Sequence, residues 1–203
     1  MKEIWYVRHG ETEWNAQRRF QGHLGIGQAF RLAERLSRSR ISFDRLYASD
    51  LRRARQTAEP LAQVLGLPIA TTPLLREIHV GELAGLTRAE AEARFPSFLA
   101  EAAKDPWNAR RPGGESMADL ARRLQAFLEE VPPGRHLVVT HGGVIRAALK
   151  LALDLAGDTW RRFHIQNTSI TRILYPENAV LTVADAAHLE VWADWLSDED
   201  LKG

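Results

Sequence analysis

Glu3–Val7 (EIWYV) is a short apolar run that stops abruptly at Arg8-His9-Gly10, the pattern of a buried strand feeding a loop. Gln28–Leu36 carries apolar residues at helical spacing, and Arg45–Ala48 follows as a strand candidate. Asp50 offers an N-cap to a helix over Leu51–Leu65, which Gly66 and Pro68 stop. Ser116 with Asp119 makes a capping box for a helix to Val131, ended by Pro132-Pro133-Gly134. Leu137–Thr140 (LVVT) is a second compact apolar strand, and His141-Gly142-Gly143 opens a helix through about Leu155. Thr168–Tyr175 and Val180–Ala184 read as strands around a Pro176-Glu177-Asn178 turn. Strands alternating with helices predict an α/β fold: one three-layer domain over residues 1–203, its central sheet mostly parallel and covered by helices on both faces.

Two of these strands end alike, in a histidine followed by glycine. Ligands of open α/β sheets sit at the carboxyl ends of strands, so Arg8-His9-Gly10 and His141-Gly142-Gly143 converge there if the strands are neighbours. Most lone histidines are structural. His136 and His141 lie an odd number of residues apart on one strand, point to opposite faces and cannot share a metal. His9 and His141 differ because the glycines behind them let the backbone approach an anion.

Composition narrows the classes. The chain has 203 residues and a formal net charge of +1, which excludes a generally basic nucleic-acid binder. Its longest apolar stretch, Val144–Ala156, is broken by Arg146, Lys150 and Asp154 and cannot span a bilayer. Charged residues within Met1–Gly10 leave no room for a signal-peptide core, so the cytoplasm is the default compartment. With no cysteine there is no disulfide, thiolate nucleophile or cysteine-bound metal. Of 27 basic residues only 4 are Lys; the cations here are planar forks suited to bidentate oxyanion binding.

Arg8–Asn15 (RHGETEWN) places a nitrogen nucleophile, a guanidinium and an amide within eight residues, and the Leu51–Leu65 helix brings Arg52, Arg53 and Arg55 near its start. A phosphoryl group in flight spreads charge over three oxygens, and positioned cationic and amide donors are what its transfer demands.

Arg8-His9-Gly10-Glu11-Thr12 with Asn15 resembles the signature of the histidine phosphatase (phosphoglycerate-mutase-like) superfamily. The likeness continues through Ser49-Asp50-Leu51-Arg52-Arg53-Ala54 with Thr57, Leu75-Arg76-Glu77-Ile78, Pro112-Gly113-Gly114-Glu115-Ser116, Thr140-His141-Gly142-Gly143 and Asn167-Thr168-Ser169. The resemblance implies that fold, with His9 as the phosphorylated nucleophile and Glu77 as the acid that protonates the leaving oxygen and then activates water. Arg8, Arg53 and His141 would bind the phosphoryl oxygens and Asn15 would complete the pocket, with Thr12, Gln21, Gly22 and the Gly142 amide as secondary contacts. No cofactor and no metal are expected, since these cations already supply the positive charge. Arg52 and Arg55 read as a solvated helix face. One departure concerns Gln21-Gly22-His23-Leu24, which runs directly into Gly25-Ile26-Gly27 where family members carry a turn of the type Asp-x-Pro-Leu-Ser/Thr; it bears on the pocket wall, not on His9.

Within the family three functions compete. They are a metal-independent phosphomonoester phosphatase, a cofactor-dependent phosphoglycerate mutase, and a phospho-ligand binder without turnover. The presence of both His9 and Glu77 speaks against the last. Dedicated mutases carry a longer insertion after the acid, whereas the stretch from Glu77 to Gly113 is short, as in small phosphatases such as α-ribazole phosphatase. The expected partner is thus a small phosphate ester. Residues 88–111 would cap the pocket, Phe95, Phe98 and Trp107 serving mainly as packing and Arg110-Arg111 as a solvated loop pair or a substrate clamp. The Leu189–Leu196 tail, with Trp192 and Trp195, reads as a docking helix or a homodimer contact.

Overall fold

The sheet is built outward from a strand that has no exposed face. In a computed structural model describing residues 1–11 and 24–190, β1 (Lys2–Arg8) buries Ile4 and Tyr6 on one side and Trp5 and Val7 on the other. The first pair meets Leu120, Leu124 and Phe127 of α5 (Met117–Glu130) and Val144 and Ile145 of α6 (Gly142–Ala152). The second meets Leu32 and Leu36 of α1 (Leu24–Arg38) and Ala54, Ala58 and Leu61 of α2 (Arg52–Leu65). Helices therefore cover both faces, as the apolar runs predict.

β2 (Arg45–Ser49), β3 (Ile69–Thr72), β4 (Gly134–Thr140), β5 (Ile170–Tyr175) and β6 (Ala179–Asp185) complete a six-stranded sheet in the order β3-β2-β4-β1-β5-β6. The first four positions run parallel, and β5 and β6 form an antiparallel edge. β1 and β4 are direct neighbours with Arg8 opposite Thr140, so the two His-Gly turns leave the sheet side by side.

The Ser116–Asp119 capping box is present in both directions, and Gly66 ends α2 in the left-handed conformation. Three expectations need correction. Asp50 does not cap α2; Leu51 occupies that position without a side-chain hydrogen bond, because both Asp50 carboxylate oxygens are taken by Arg76 at 2.6–2.7 Å. α6 ends at Ala152 rather than near Leu155, since Asp154 turns to φ 48° although the apolar pattern continues through Leu153 and Leu155. α1 begins at Leu24, ahead of Gln28.

The pattern also missed β3, a four-residue edge strand, and the division of the 88–111 segment into α3 (Arg88–Arg94) and α4 (Pro96–Lys104). Trp107 packs edge-on to Trp160 at 5.6 Å between ring centres, as a packing residue should, and no helix among the described residues is long and apolar enough to cross a membrane. The expected docking tail lies largely outside the described residues.

Candidate active site

His9 is held by its own backbone. Its amide donates to Thr140 O at 2.9 Å, its carbonyl accepts from Asn167 Nδ2 at 2.7 Å, and the next amide, Gly10, donates to Thr57 Oγ1 at 2.8 Å. The ring Nδ1 lies 2.7 Å from Gly10 O. A carbonyl only accepts, so Nδ1 carries the proton and Nε2 keeps a free lone pair. Burial, helped by the nearby Arg53 and Arg8 charges and opposed by that backbone bond, pulls the His9 pKa down to about 4. The ring is thus neutral at physiological pH, as a nitrogen nucleophile must be.

His141 lies 5.1 Å from His9, ring centre to ring centre, and is fully buried. Its Nε2 is 2.8 Å from Ser49 Oγ at the end of β2. That hydroxyl already accepts the Leu51 amide, and its hydrogen has no other acceptor among the described residues. It therefore donates to Nε2 and leaves Nδ1 as the protonated nitrogen of His141, buried and without a partner. Burial first, then the proximity of His9, Arg53 and Arg8, pushes the His141 pKa down to about 2. A neutral imidazole with a spare N–H donor is fitted to bind an anion and not to attack one. Ser49→Ala is expected to weaken competitive inhibition by inorganic phosphate about tenfold, the scale of one lost hydrogen bond. An unchanged inhibition constant would show that Ser49 does not set this tautomer.

Arg53 is half-buried and acts electrostatically on both histidines, whereas Arg52 and Arg55 point to solvent as expected. Arg8 is fixed by Nη1 donating to Ile165 O at 2.6 Å, and its Nε is buried without a partner beside Gly142. Burial and the neighbouring Arg146 lower the Arg8 pKa, while Glu77 opposes them.

Glu77 reaches the start of α6 from the opposite side. Its Oε2 accepts the Gly143 amide at 3.1 Å and its Oε1 accepts the Ile78 amide at 2.9 Å, so each oxygen retains a lone pair for a proton. The approach requires glycine: a Cβ on Gly143 would stand 2.2 Å from Glu77 Oε1. Arg123 braces this loop, donating to the carbonyls of Leu74 and Arg76 and pairing with Glu115 at 2.7 Å.

The structure thus brings His9, Arg8, Arg53, His141, Glu77 and Gly142 to one end of the sheet. Thr12, Asn15, Gln21 and Gly22 lie outside the described residues. His136 stays apart, its Nε2–H donating to Pro132 O at 2.9 Å. Sequence reasoning gave no role to Ser49, Asn167, Gly143 or Arg123. Ser49, Gly143 and Asn167 had a legible signal, since each stands in one of the motif blocks that carry the family resemblance; Arg123 had none. Among the described residues no three His, Asp or Glu side chains cluster to hold a metal ion.

The buried histidines set a pH dependence of stability. His9, His141 and His188 (also lowered to about 4, chiefly by burial) bind protons in the unfolded chain near pH 6.5 but not in the folded one. The unfolded state then holds more protons below that pH, so stability falls on acidification from pH 6.5 toward 4. Carboxylates contribute only further down. Each histidine is expected to remove on the order of 1 kcal/mol per pH unit, measured by urea unfolding in phosphate-free buffer. A flat midpoint between pH 6.5 and 5 would contradict the burial of neutral rings.

The family profile of the histidine phosphatase superfamily, branch 1, matches residues 4–185. A curated relative from Yersinia pestis, named probable phosphoglycerate mutase GpmB, is 34% identical over 209 residues, covering 94% of this chain and 96% of its own length. Among solved structures, a mycobacterial glucosyl-3-phosphoglycerate phosphatase is 33% identical over 86% of this chain and 93% of its own, with a TM-score of 0.68. YhfR of Bacillus stearothermophilus is 28% identical over 94% of this chain and 100% of its own, with a TM-score of 0.76.

Proposed function

Because the chain belongs to the histidine phosphatase superfamily, branch 1, we propose that it is a metal-independent phosphatase of small phosphomonoesters, working through a phosphohistidine. The observation that carries this reading is the paired tautomer assignment, His9 with a free Nε2 and His141 with a spare Nδ1–H, 5.1 Å apart between ring centres. His9 Nε2 attacks phosphorus and the ester P–O bond breaks as Glu77 delivers a proton to the leaving oxygen. Glu77 then takes a proton from water, which attacks phosphorus. The P–N bond breaks and inorganic phosphate leaves with His9 neutral again. Arg8, Arg53 and His141 hold the phosphoryl oxygens throughout, with the Gly142 amide at the start of α6 as a further donor.

Hydrolysis is favoured over mutase chemistry by the short stretch from Glu77 to Gly113, which forms one 3-10 turn and two α-helices of 7 and 9 residues. The similarity to a mycobacterial phosphatase supports it as well. The mutase reading rests on the name of the Yersinia relative. One assay separates the two: phosphate release from a panel of monoesters, run beside interconversion of 3- and 2-phosphoglycerate with and without added bisphosphate. Hydrolysis of several esters with little isomerisation is expected, unaffected by chelator. Isomerisation faster than hydrolysis would overturn the phosphatase reading, and chelator-sensitive turnover would overturn its independence of metal.

A further inference from the structure

Asn167, Thr168 and Ser169 form the turn that leads into β5, and all three reach the backbone at the end of β1. Asn167 Nδ2 donates to His9 O at 2.7 Å, Thr168 N donates to Arg8 O at 2.8 Å, and Ser169 O accepts the Arg8 amide at 3.4 Å. The turn closes in this way with Thr168 at φ 58°. A β-branched residue in the left-handed region is strained, and it persists there only where its surroundings hold it. Thr168 is fully buried, and its hydroxyl is what a distant element grips.

Thr168 Oγ1 lies 3.0 Å from Nε2 of His188, 20 residues on, in the short turn Ala187–Leu189 that follows β6. On the other side of the ring, Nδ1 faces Arg35 Nη1 at 3.5 Å. An arginine only donates, so Nδ1 accepts and the proton sits on Nε2, aimed at the Thr168 oxygen. Arg35 of α1 is fixed in turn by a bidentate pair with Asp185 at 2.6 and 3.0 Å, and Asp185 Oδ1 also accepts the Ala187 amide at 3.0 Å. Three elements distant in sequence therefore meet on one hydroxyl. None of Arg35, Asp185 and His188 hydrogen-bonds to a side chain of the phosphoryl site among the described residues.

Resting on the reading of His9 as the nucleophile, we propose that His188 is a positioning residue for phosphoryl transfer: it locks Thr168 in its left-handed turn and so keeps the Asn167 amide on the carbonyl of His9. With the hydroxyl released, the turn relaxes and Asn167 is redirected. The His9-Gly10 segment then keeps its ties to Thr140 O and Thr57 Oγ1 and loses the third. That segment carries the Gly10 carbonyl that orients Nδ1, so its movement displaces the attacking Nε2. The Arg8 side chain, held separately by Ile165 O, stays in place.

The test measures, for the full chain, kcat for phosphate release from p-nitrophenyl phosphate and the inhibition constant of inorganic phosphate, each well below the variant's melting temperature. His188→Leu is expected to lower kcat at least about tenfold, the scale of a misplaced reacting group. The inhibition constant should change less than about threefold, because Arg53, His141 and Gly142 stand on other elements. His188→Gln should recover most of kcat, since one carboxamide both donates to Thr168 and accepts from Arg35. Thr168→Val, of nearly the same shape, should lose as much as His188→Leu and carries the same test if that variant does not fold. The double variant should lose no more than either single one, as residues acting through one contact do. Full kcat in His188→Leu or Thr168→Val, losses that multiply in the double variant, or phosphate affinity falling as far as kcat would overturn the inference. A chain that releases phosphate while its kcat ignores His188 brings down this inference alone; an unaltered chain that releases none from any monoester brings down the phosphatase reading, and this inference with it.

Discussion

His9→Ala is expected to lose turnover by at least roughly a thousandfold, as when a covalent nucleophile is deleted, and to lose all acid-labile phosphate from the quenched enzyme. Both histidines follow parallel strands in register, so their place on the sheet does not tell nucleophile from binder. Their hydrogen bonds separate them. Gly10 O takes the Nδ1 proton of His9 and leaves Nε2 nucleophilic, while Ser49 fixes the opposite tautomer on His141 and turns it into a donor. His141 also stands at the N-cap of α6, where the helix dipole disfavours the imidazolium that attack and release would have to manage. Mass spectrometry of acid-sensitive peptides should therefore place the phosphate on His9 alone. Phosphate on His141, or normal turnover in His9→Ala, would remove the basis of the mechanism.

A loss of at least about a hundredfold in kcat is expected for Glu77→Gln, the scale of a missing general acid and base, with inorganic phosphate still binding. A second substitution approaches the same carboxylate from its neighbour. Gly143→Ala puts a methyl group 2.2 Å from where Glu77 Oε1 now lies, and the carboxylate, as the end of a flexible side chain, is what moves. Alanine in the first turn of a helix is otherwise favourable by roughly 0.5–1 kcal/mol over glycine. Activity should therefore fall at least about tenfold, the cost of a misplaced catalytic group, without a drop in melting temperature. If Gly143→Ala remains fully active, the contact between Glu77 and the start of α6 has no part in positioning the acid. If it loses stability and activity together, the loss is one of folding.

Much of this was legible along the chain because it is local. The buried strand before His9, the apolar LVVT run before His141 and the Ser116–Asp119 capping box are each determined by neighbours within a few residues, and each forms where the pattern placed it. Asp50 shows the limit. Its capping propensity is a local preference of about 1 kcal/mol, and it yields to a bidentate ion pair with Arg76, which is 26 residues away. The Arg110-Arg111 pair, two adjacent positions with equal charge, also parts in space: the Arg110 side chain is exposed beside Asp119, whereas Arg111 is half-buried and donates to Glu115 O.

The sequence by itself determined the order of the five strands other than β3 and of the helices that flank the sheet, the faces they bury and the residue types at the candidate phosphoryl site, since periodicity, turns and motif spacing are properties of the covalent chain. The tertiary structure alone decided that Ser49 orients His141, that Asn167 holds His9 and that Gly143 admits Glu77. Each of these joins side chains from elements distant in sequence, and which strand ends meet is settled by sheet order and register, through the burial of both faces at once, and not by spacing along the chain.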